Sequence, residues 1–365
     1  MNIYDFAGVK EPTSKKVLID FSHLSHRNLY IAKLKVDQMS KSMYSFNGDL
    51  SDYHMMIEGD ELKNAAMVDM WFHLMLKSIM LIKRTHEAKA EDVILCLDDR
   101  SWRKKYYKGY KAHRQSEKDK TSILFEGFYK NVNTLLDFFG LTKINILQTK
   151  DAKADDLLYV VSKILSESNV MCVAVTSDKD LKQILRFSNV KMYDPLAKDF
   201  IKDWKPEDLL KHILIGDAGD GVPSIKDQTQ FTPEFISFLK INNIFLSDVE
   251  VVSKLEVFGY LEDKFLETYP SKKIYKPGMF GEKTAEKAIL DGSWKKLIKE
   301  KSIKGRYLRN RTLIDLRKIP VEISLKIIED YENLPKKVNK PFEITDFLTK
   351  HQLKEVQKDI QKILI

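Results

Sequence analysis

Val170-Met171-Cys172-Val173-Ala174-Val175-Thr176-Ser177-Asp178-Lys179-Asp180 reads as a buried strand that runs out into acids. Its six apolar residues do not alternate with polar ones, the pattern of a strand covered on both faces. Val17-Leu18-Ile19-Asp20 repeats the design, and so does the stretch from Asp92 through Val93-Ile94-Leu95-Cys96-Leu97 to Asp98-Asp99. Ile144–Gln148 and Val190–Asp194 add two more short runs. Helix-length segments lie between them. Residues 64–83 carry Met67, Met70, Trp71 and Leu74 at helical spacing, and 122–139 and 155–165 behave likewise. Strand and helix in alternation predict an α/β fold with a parallel central sheet flanked by helices.

Beyond Trp204-Lys205-Pro206 the strand signal fades, which predicts an α/β domain over 1–205 and a mainly helical domain over 206–365. Pro206 suits the start of a helix over 207–214. Two glycine turns follow, Gly216-Asp217-Ala218-Gly219-Asp220-Gly221 and Pro277-Gly278-Met279-Phe280-Gly281, the second opening a helix. Residues 229–275 read as a helical insertion, 33–62 as a second elaboration, and 353–364 as an amphipathic tail helix.

The 365 residues suffice for two cores, and 43% hydrophobic with 31% charged residues excludes a wholly disordered chain. No apolar run approaches the ~20 residues of a membrane helix, and no secretory signal opens the chain, so no membrane and a cytoplasmic location are expected. Cys96 and Cys172 sit in strand-like runs and read as buried reduced thiols. The net charge of +8 is concentrated: residues 100–120 hold a net +7 and residues 301–326 a net +6. Two basic patches on a mildly acidic body suit a polyanion partner.

Each acid after a strand has a bland reading as a turn or helix cap. As a set they say more, because ligands of an open parallel sheet bind at the carboxyl ends of its strands. Asp20, Asp98, Asp155, Asp156 and Asp178 all fall at that edge or just past it. Two like charges 4 Å apart repel by roughly 4 kcal/mol at an effective dielectric near 20. Converging carboxylates therefore need protons or cations, and oxygen ligands without His or Cys suit Mg²⁺ or Mn²⁺. Residues 101–120 interleave Trp102, Tyr106, Tyr107 and Tyr110 with cations, a composition that stacks on bases and tracks phosphates, or else an amphipathic helix with its rings turned inward.

Leu18-Ile19-Asp20-Phe21-Ser22, Leu95-Cys96-Leu97-Asp98-Asp99, Ala154-Asp155-Asp156, Thr176-Ser177-Asp178-Lys179-Asp180 and Gly216-Asp217-Ala218-Gly219-Asp220, in this order, resemble the 5′ nucleases, or flap endonucleases. The resemblance is strongest to members serving bacteriophage replication, and Arg306-Tyr307-Leu308-Arg309-Asn310 and Thr312-Leu313-Ile314-Asp315 extend it. It implies a sheet with a mixed edge, a helical arch over about 100–122, and a helix–three-turn–helix motif in the C-terminal domain. It implies a structure-specific 5′→3′ exonuclease and flap endonuclease with ribonuclease H activity, removing RNA primers and DNA flaps by a two-metal mechanism.

The resemblance also assigns residues. Asp20, Asp98, Asp155 and Asp178 match the ligands of a catalytic Mg²⁺, which Mn²⁺ replaces, and Asp156, Asp180, Asp217 and Asp220 match a group around a second ion. Lys111 and Arg114 match catalytic contacts to the scissile phosphate, and Tyr110 a base-stacking ring. Trp102, Arg103, Lys104, Lys226, Gly278, Gly281, Lys283 and Thr284 complete the expected nucleic-acid contacts, with a K⁺ implied at the paired turns. The implied partners are forked, nicked or flapped DNA and RNA/DNA hybrids, and by analogy a single-strand binding protein and a sliding clamp, with the chain a monomer in a phage-infected cell.

Lys153 breaks the pattern, standing where the family carries an acid. Asp151 substituting, an ammonium doing part of a metal's work, and a change that disables the enzyme are three readings that stay open. The rival functions are a non-catalytic DNA-binding relative and a single-strand ribonuclease of the same α/β class.

Overall fold

The computed structural model describes residues 14–43, 61–111, 131–226, 233–242, 261, 264–269 and 280–351. Arg114, Gly278, the tail helix over 353–364 and most of the 229–275 insertion lie outside them. The described chain forms two compact units: the first gathers residues from 1–101, 116–204 and 320–365, the second from 102–115 and 205–319.

In the first unit, β1 (Lys15–Asp20), β2 (Val93–Cys96), β3 (Asn145–Leu147), β4 (Met171–Val175), β5 (Val190–Asp194) and β6 (Asp199–Ile201) form one sheet of order β3-β2-β1-β4-β5-β6. The first five strands are parallel, and β6 pairs antiparallel with β5. Mixed-edge and helix-flanked, this is the architecture expected above. Val17, Leu18 and Ile19 are fully buried, which explains why their run does not alternate.

Alternate residues serve opposite faces. Val17, Ile19, Val93, Leu95, Val173 and Val175 pack with α1 (Phe21–Met43), α2 (Glu61–Thr85) and the helical residues 131–140. On the other face lies α4 (Ala154–Glu167), whose Ser162 Oγ meets Cys172 Sγ at 3.3 Å. Both cysteines are buried and free, and burial raises the thiol pKa of each, Cys172 to about 12.

The units differ from the expected domains at two places. α10 (Val321–Glu332) and α11 (Pro341–Lys350) belong with the sheet: Ile344 and Leu348 enter its core, Phe347 packs on Phe72 and Phe138, and Thr149 donates to Asp330. Conversely Tyr110 joins the core of the second unit. Among the described residues, no helix is long and apolar enough to cross a membrane.

The second unit is built on α5 (Pro206–Ile215), α6 (Pro233–Ile241), α7 (Glu282–Leu290), α8 (Trp294–Leu297) and α9 (Lys301–Ile314), with the short α3 (Trp102–Tyr106) from the basic stretch. Leu214, Ile225, Phe280, Ala285, Ala288 and Ile303 pack together, so the end of α5, the chain after the first glycine turn, α7 and α9 share one small core.

Candidate metal centre and nucleic-acid interface

The sheet order reverses between β1 and β4, and Asp20 ends β1 at that switch point. Asp98 follows β2 by two residues, and Asp178 follows β4 by three. Asp155 lies in the first turn of α4, beyond β3. Three adjacent strands and one helix N-terminus thus supply acids to one edge.

Asp20 is only 8% exposed. Its Oδ1 accepts from the His23 N–H at 3.0 Å and its Oδ2 from Thr176 Oγ1 at 3.2 Å. Burial nevertheless pushes its carboxyl up to about 7; the His23 N–H opposes this, while the charges of Asp98, Asp178 and Asp155 add to it. Their action on Asp20 places the four carboxylates in one electrostatic cluster. Asp98 behaves oppositely. Burial works against its charge, but Lys153, the Ala154 N–H and Ser22 hold its pKa below the usual range. Lys153 Nζ stands 3.2 Å from Asp98 Oδ2, and the Ala154 N–H 2.9 Å from Asp98 Oδ1. Asp178 caps the 3₁₀ turn over Lys179–Arg186, accepting from the Asp180 N–H at 2.9 Å.

A buried carboxylate whose proton affinity three further acids raise, with oxygen donors throughout, fits a hard divalent cation. Asp156, expected beside them, is fully buried and accepts from the Lys153 N–H at 3.0 Å, so the structure uses it to cap α4.

Asp217 and Asp220 belong to the second unit, in the turn after α5. Gly216 reverses the chain there at φ 76°, and a Cβ on it would land on the Val222 carbonyl oxygen. Burial opposes the Asp217 charge, but His212, with Nε2 at 3.4 Å, and the N–H groups of Asp220 and Gly219 hold its pKa at about 2. Asp220 accepts Lys111 Nζ at 3.1 Å, and its carbonyl accepts the Lys111 N–H at 2.8 Å. Lys111 takes a left-handed backbone, φ 56°, which that double tether stabilises. His212 went unnoticed in the sequence because a lone histidine in an amphipathic helix carries no motif.

The basic stretch corrects an expectation. Trp102, Arg103 and Tyr110 were expected to touch nucleic acid, yet all three are buried. Arg103 is 2% exposed and its Nε donates to the Leu313 carbonyl at 2.9 Å. Tyr110 packs among Leu209, Ile213, Val222, Leu313 and Ile314. Lys104, Lys105 and Tyr106 remain on the surface. The second basic patch is also partly structural. Arg309 donates to the Pro223 carbonyl at 3.2 Å, and Arg317 forms a two-pronged ion pair with buried Asp315. Gly281, Lys283 and Thr284 are exposed at the start of α7, and Lys226 Nζ lies 5.4 Å from the centre of the Phe280 ring.

The 5′-3′ exonuclease family, through its N-terminal resolvase-like domain, matches residues 15–213, more than half of the chain. The chain belongs to that family. Two curated relatives of this chain are Ribonuclease H of Enterobacteria phage T4, 28% identical over 177 residues, and flap endonuclease Xni of Shewanella denitrificans, 26% identical over 151 residues. The matches cover 46% and 39% of this chain and only 58% and 56% of the two relatives. Among solved structures, the zinc-bound 5′-exonuclease of phage T5 aligns with a TM-score of 0.48 and 13% identity, covering 88% of this chain and 99% of that one. An aspartate-to-lysine variant of the T5 flap endonuclease, complexed with DNA and metal ions, aligns with a TM-score of 0.48 and 13% identity, covering 87% and 100%.

Proposed function

We propose that this exonuclease-family chain is a Mg²⁺-dependent, structure-specific 5′ nuclease that hydrolyses phosphodiester bonds at RNA primers and 5′ DNA flaps in phage replication. The observation carrying the reading is Asp20, buried at the sheet's switch point among the charges of Asp98, Asp155 and Asp178. Those four acids would hold the divalent ion, Mg²⁺ or Mn²⁺. When bound, such an ion generates a hydroxide nucleophile at neutral pH and offsets charge on the leaving oxygen.

The chain's own residues orient the substrate. Thr176 and the His23 N–H fix the Asp20 carboxylate, and the Ala154 N–H fixes Asp98. Lys111, held by Asp220, offers a positioned ammonium for the scissile phosphate, where oriented cations stabilise developing charge. Gly281, Lys283 and Thr284 are the contacts proposed for the duplex backbone, because a helix N-terminus presents free N–H groups to phosphate.

A 5′-labelled flap substrate tests the reading. Cleavage should require Mg²⁺ or Mn²⁺ and should fall at least about a hundredfold in Asp178→Asn, the scale of losing one positioned electrostatic group. DNA binding should persist in that variant. Cleavage that survives EDTA or Asp178→Asn would reject the proposal.

A further inference from the structure

The carboxylate cluster carries a cation of the protein's own. Lys153 Nζ stands 3.2 Å from Asp98 Oδ2, and both side chains are partly buried, 25% and 34% exposed. Lys153 directly precedes α4, the helix that presents Asp155, and the next residue's N–H holds Asp98 Oδ1. Both oxygens of Asp98 are therefore engaged by one short segment, Lys153-Ala154.

The charges favour a definite count. Once a bound cation has displaced the Asp20 proton, Asp20, Asp98, Asp155 and Asp178 carry four negative charges, and Lys153 leaves three. One divalent ion brings the cluster to a net −1, whereas a second would leave it positive with an ammonium alongside. A dication and an ammonium sharing one carboxylate cluster repel strongly even at an effective dielectric near 20. We propose that Lys153 is a resident counter-ion that takes the place of one divalent ion's charge at Asp98, so that this cluster holds a single divalent cation. The proposal rests on the nuclease reading for the cluster's purpose, but its geometry stands apart from any assay of cleavage.

Calorimetric titration of the full chain with Mn²⁺ tests it, alongside Lys153→Glu and Lys153→Gln. Lys153→Glu should bind one ion more than the unsubstituted chain. Lys153→Gln, which removes the charge and keeps a polar side chain of similar length, should bind its first Mn²⁺ at least about tenfold more tightly, because the local repulsion is gone. Equal ion counts in the unsubstituted chain and Lys153→Glu would overturn the proposal, as would an unchanged Mn²⁺ affinity in Lys153→Gln. Should Lys153→Glu fail to fold, the Lys153→Gln affinity decides alone. Flap cleavage by the unsubstituted chain separates the two ideas: cleavage with equal counts rejects the counter-ion and keeps the nuclease. Unequal counts without cleavage do the reverse.

Discussion

At the scale of single residues, Asp20 concentrates the electrostatic strain of the fold. Its carboxyl is held at about 7 in the folded chain against an ordinary 3.8, chiefly by burial. Between those values the folded state keeps a proton that the unfolded chain releases, so stability falls as the pH rises through that window. Above it the loss from this one group reaches at most about 4 kcal/mol. In EDTA, moving from about pH 5.5 to about pH 8.5 should therefore destabilise the unsubstituted chain more than Asp20→Asn, as read by thermal melting. Mg²⁺ at the higher pH should restore part of the difference. Parallel losses in the two proteins would assign the pH dependence elsewhere. Asp98 shows the same physics with the opposite sign, because Lys153 and the Ala154 N–H outweigh its burial.

At the scale of elements, the turn after α5 depends on backbone geometry and on one buried amide. Asn310 of α9 is fully buried, and its Nδ2 donates to the Ile213 carbonyl at 3.0 Å and the Pro223 carbonyl at 2.8 Å. It thereby joins the end of α5 to the chain beyond the turn. Gly216 supplies the reversal itself. Gly216→Ala should cost roughly 1–3 kcal/mol in urea unfolding, since φ is positive and the new methyl meets backbone. A change under about 0.5 kcal/mol, typical of neutral surface positions, would mean the turn relaxes freely. Because Lys111 is tethered to Asp220 in the same turn, Gly216→Ala is also expected to disturb Lys111.

For the whole molecule, the net charge of +8 matters through where its cations are free. Arg103, Arg309 and Arg317 are committed to internal bonds, so fewer cations face a polyanion than composition suggests. Duplex affinity should still fall steeply with salt, with a log–log slope of about −0.9 for each phosphate neutralised. Lys283→Ala should lessen that slope by about 1, as removal of one phosphate contact does, whereas Arg317→Ala should leave the slope unchanged and lower stability. A slope that Lys283→Ala does not alter would remove α7 from the duplex interface.

Five strands and the acids behind them were legible in the sequence, because a non-alternating apolar run ending in an acid is a local pattern that strand geometry imposes on neighbouring residues. β6 was missed: Asp199–Ile201 is three residues long, half-exposed, and carries no such run. The cations and rings of 102–110 showed only their composition. Whether they faced solvent depended on Leu209, Ile213 and Leu313, about a hundred to two hundred residues away, and packing against them turned Tyr110 inward. The placement of α11 on the sheet, the pairing of His212 with Asp217, and the contact of Lys153 with Asp98 were likewise decided in three dimensions. Sequence alone determined five of the six strands, the main helices between them and the set of acids, since these follow from the chain's own periodicity and chemistry. Which acids share charge, and which cations are spent inside the protein, only the tertiary structure decided, because burial and Coulomb energy depend on distance in space and not along the chain.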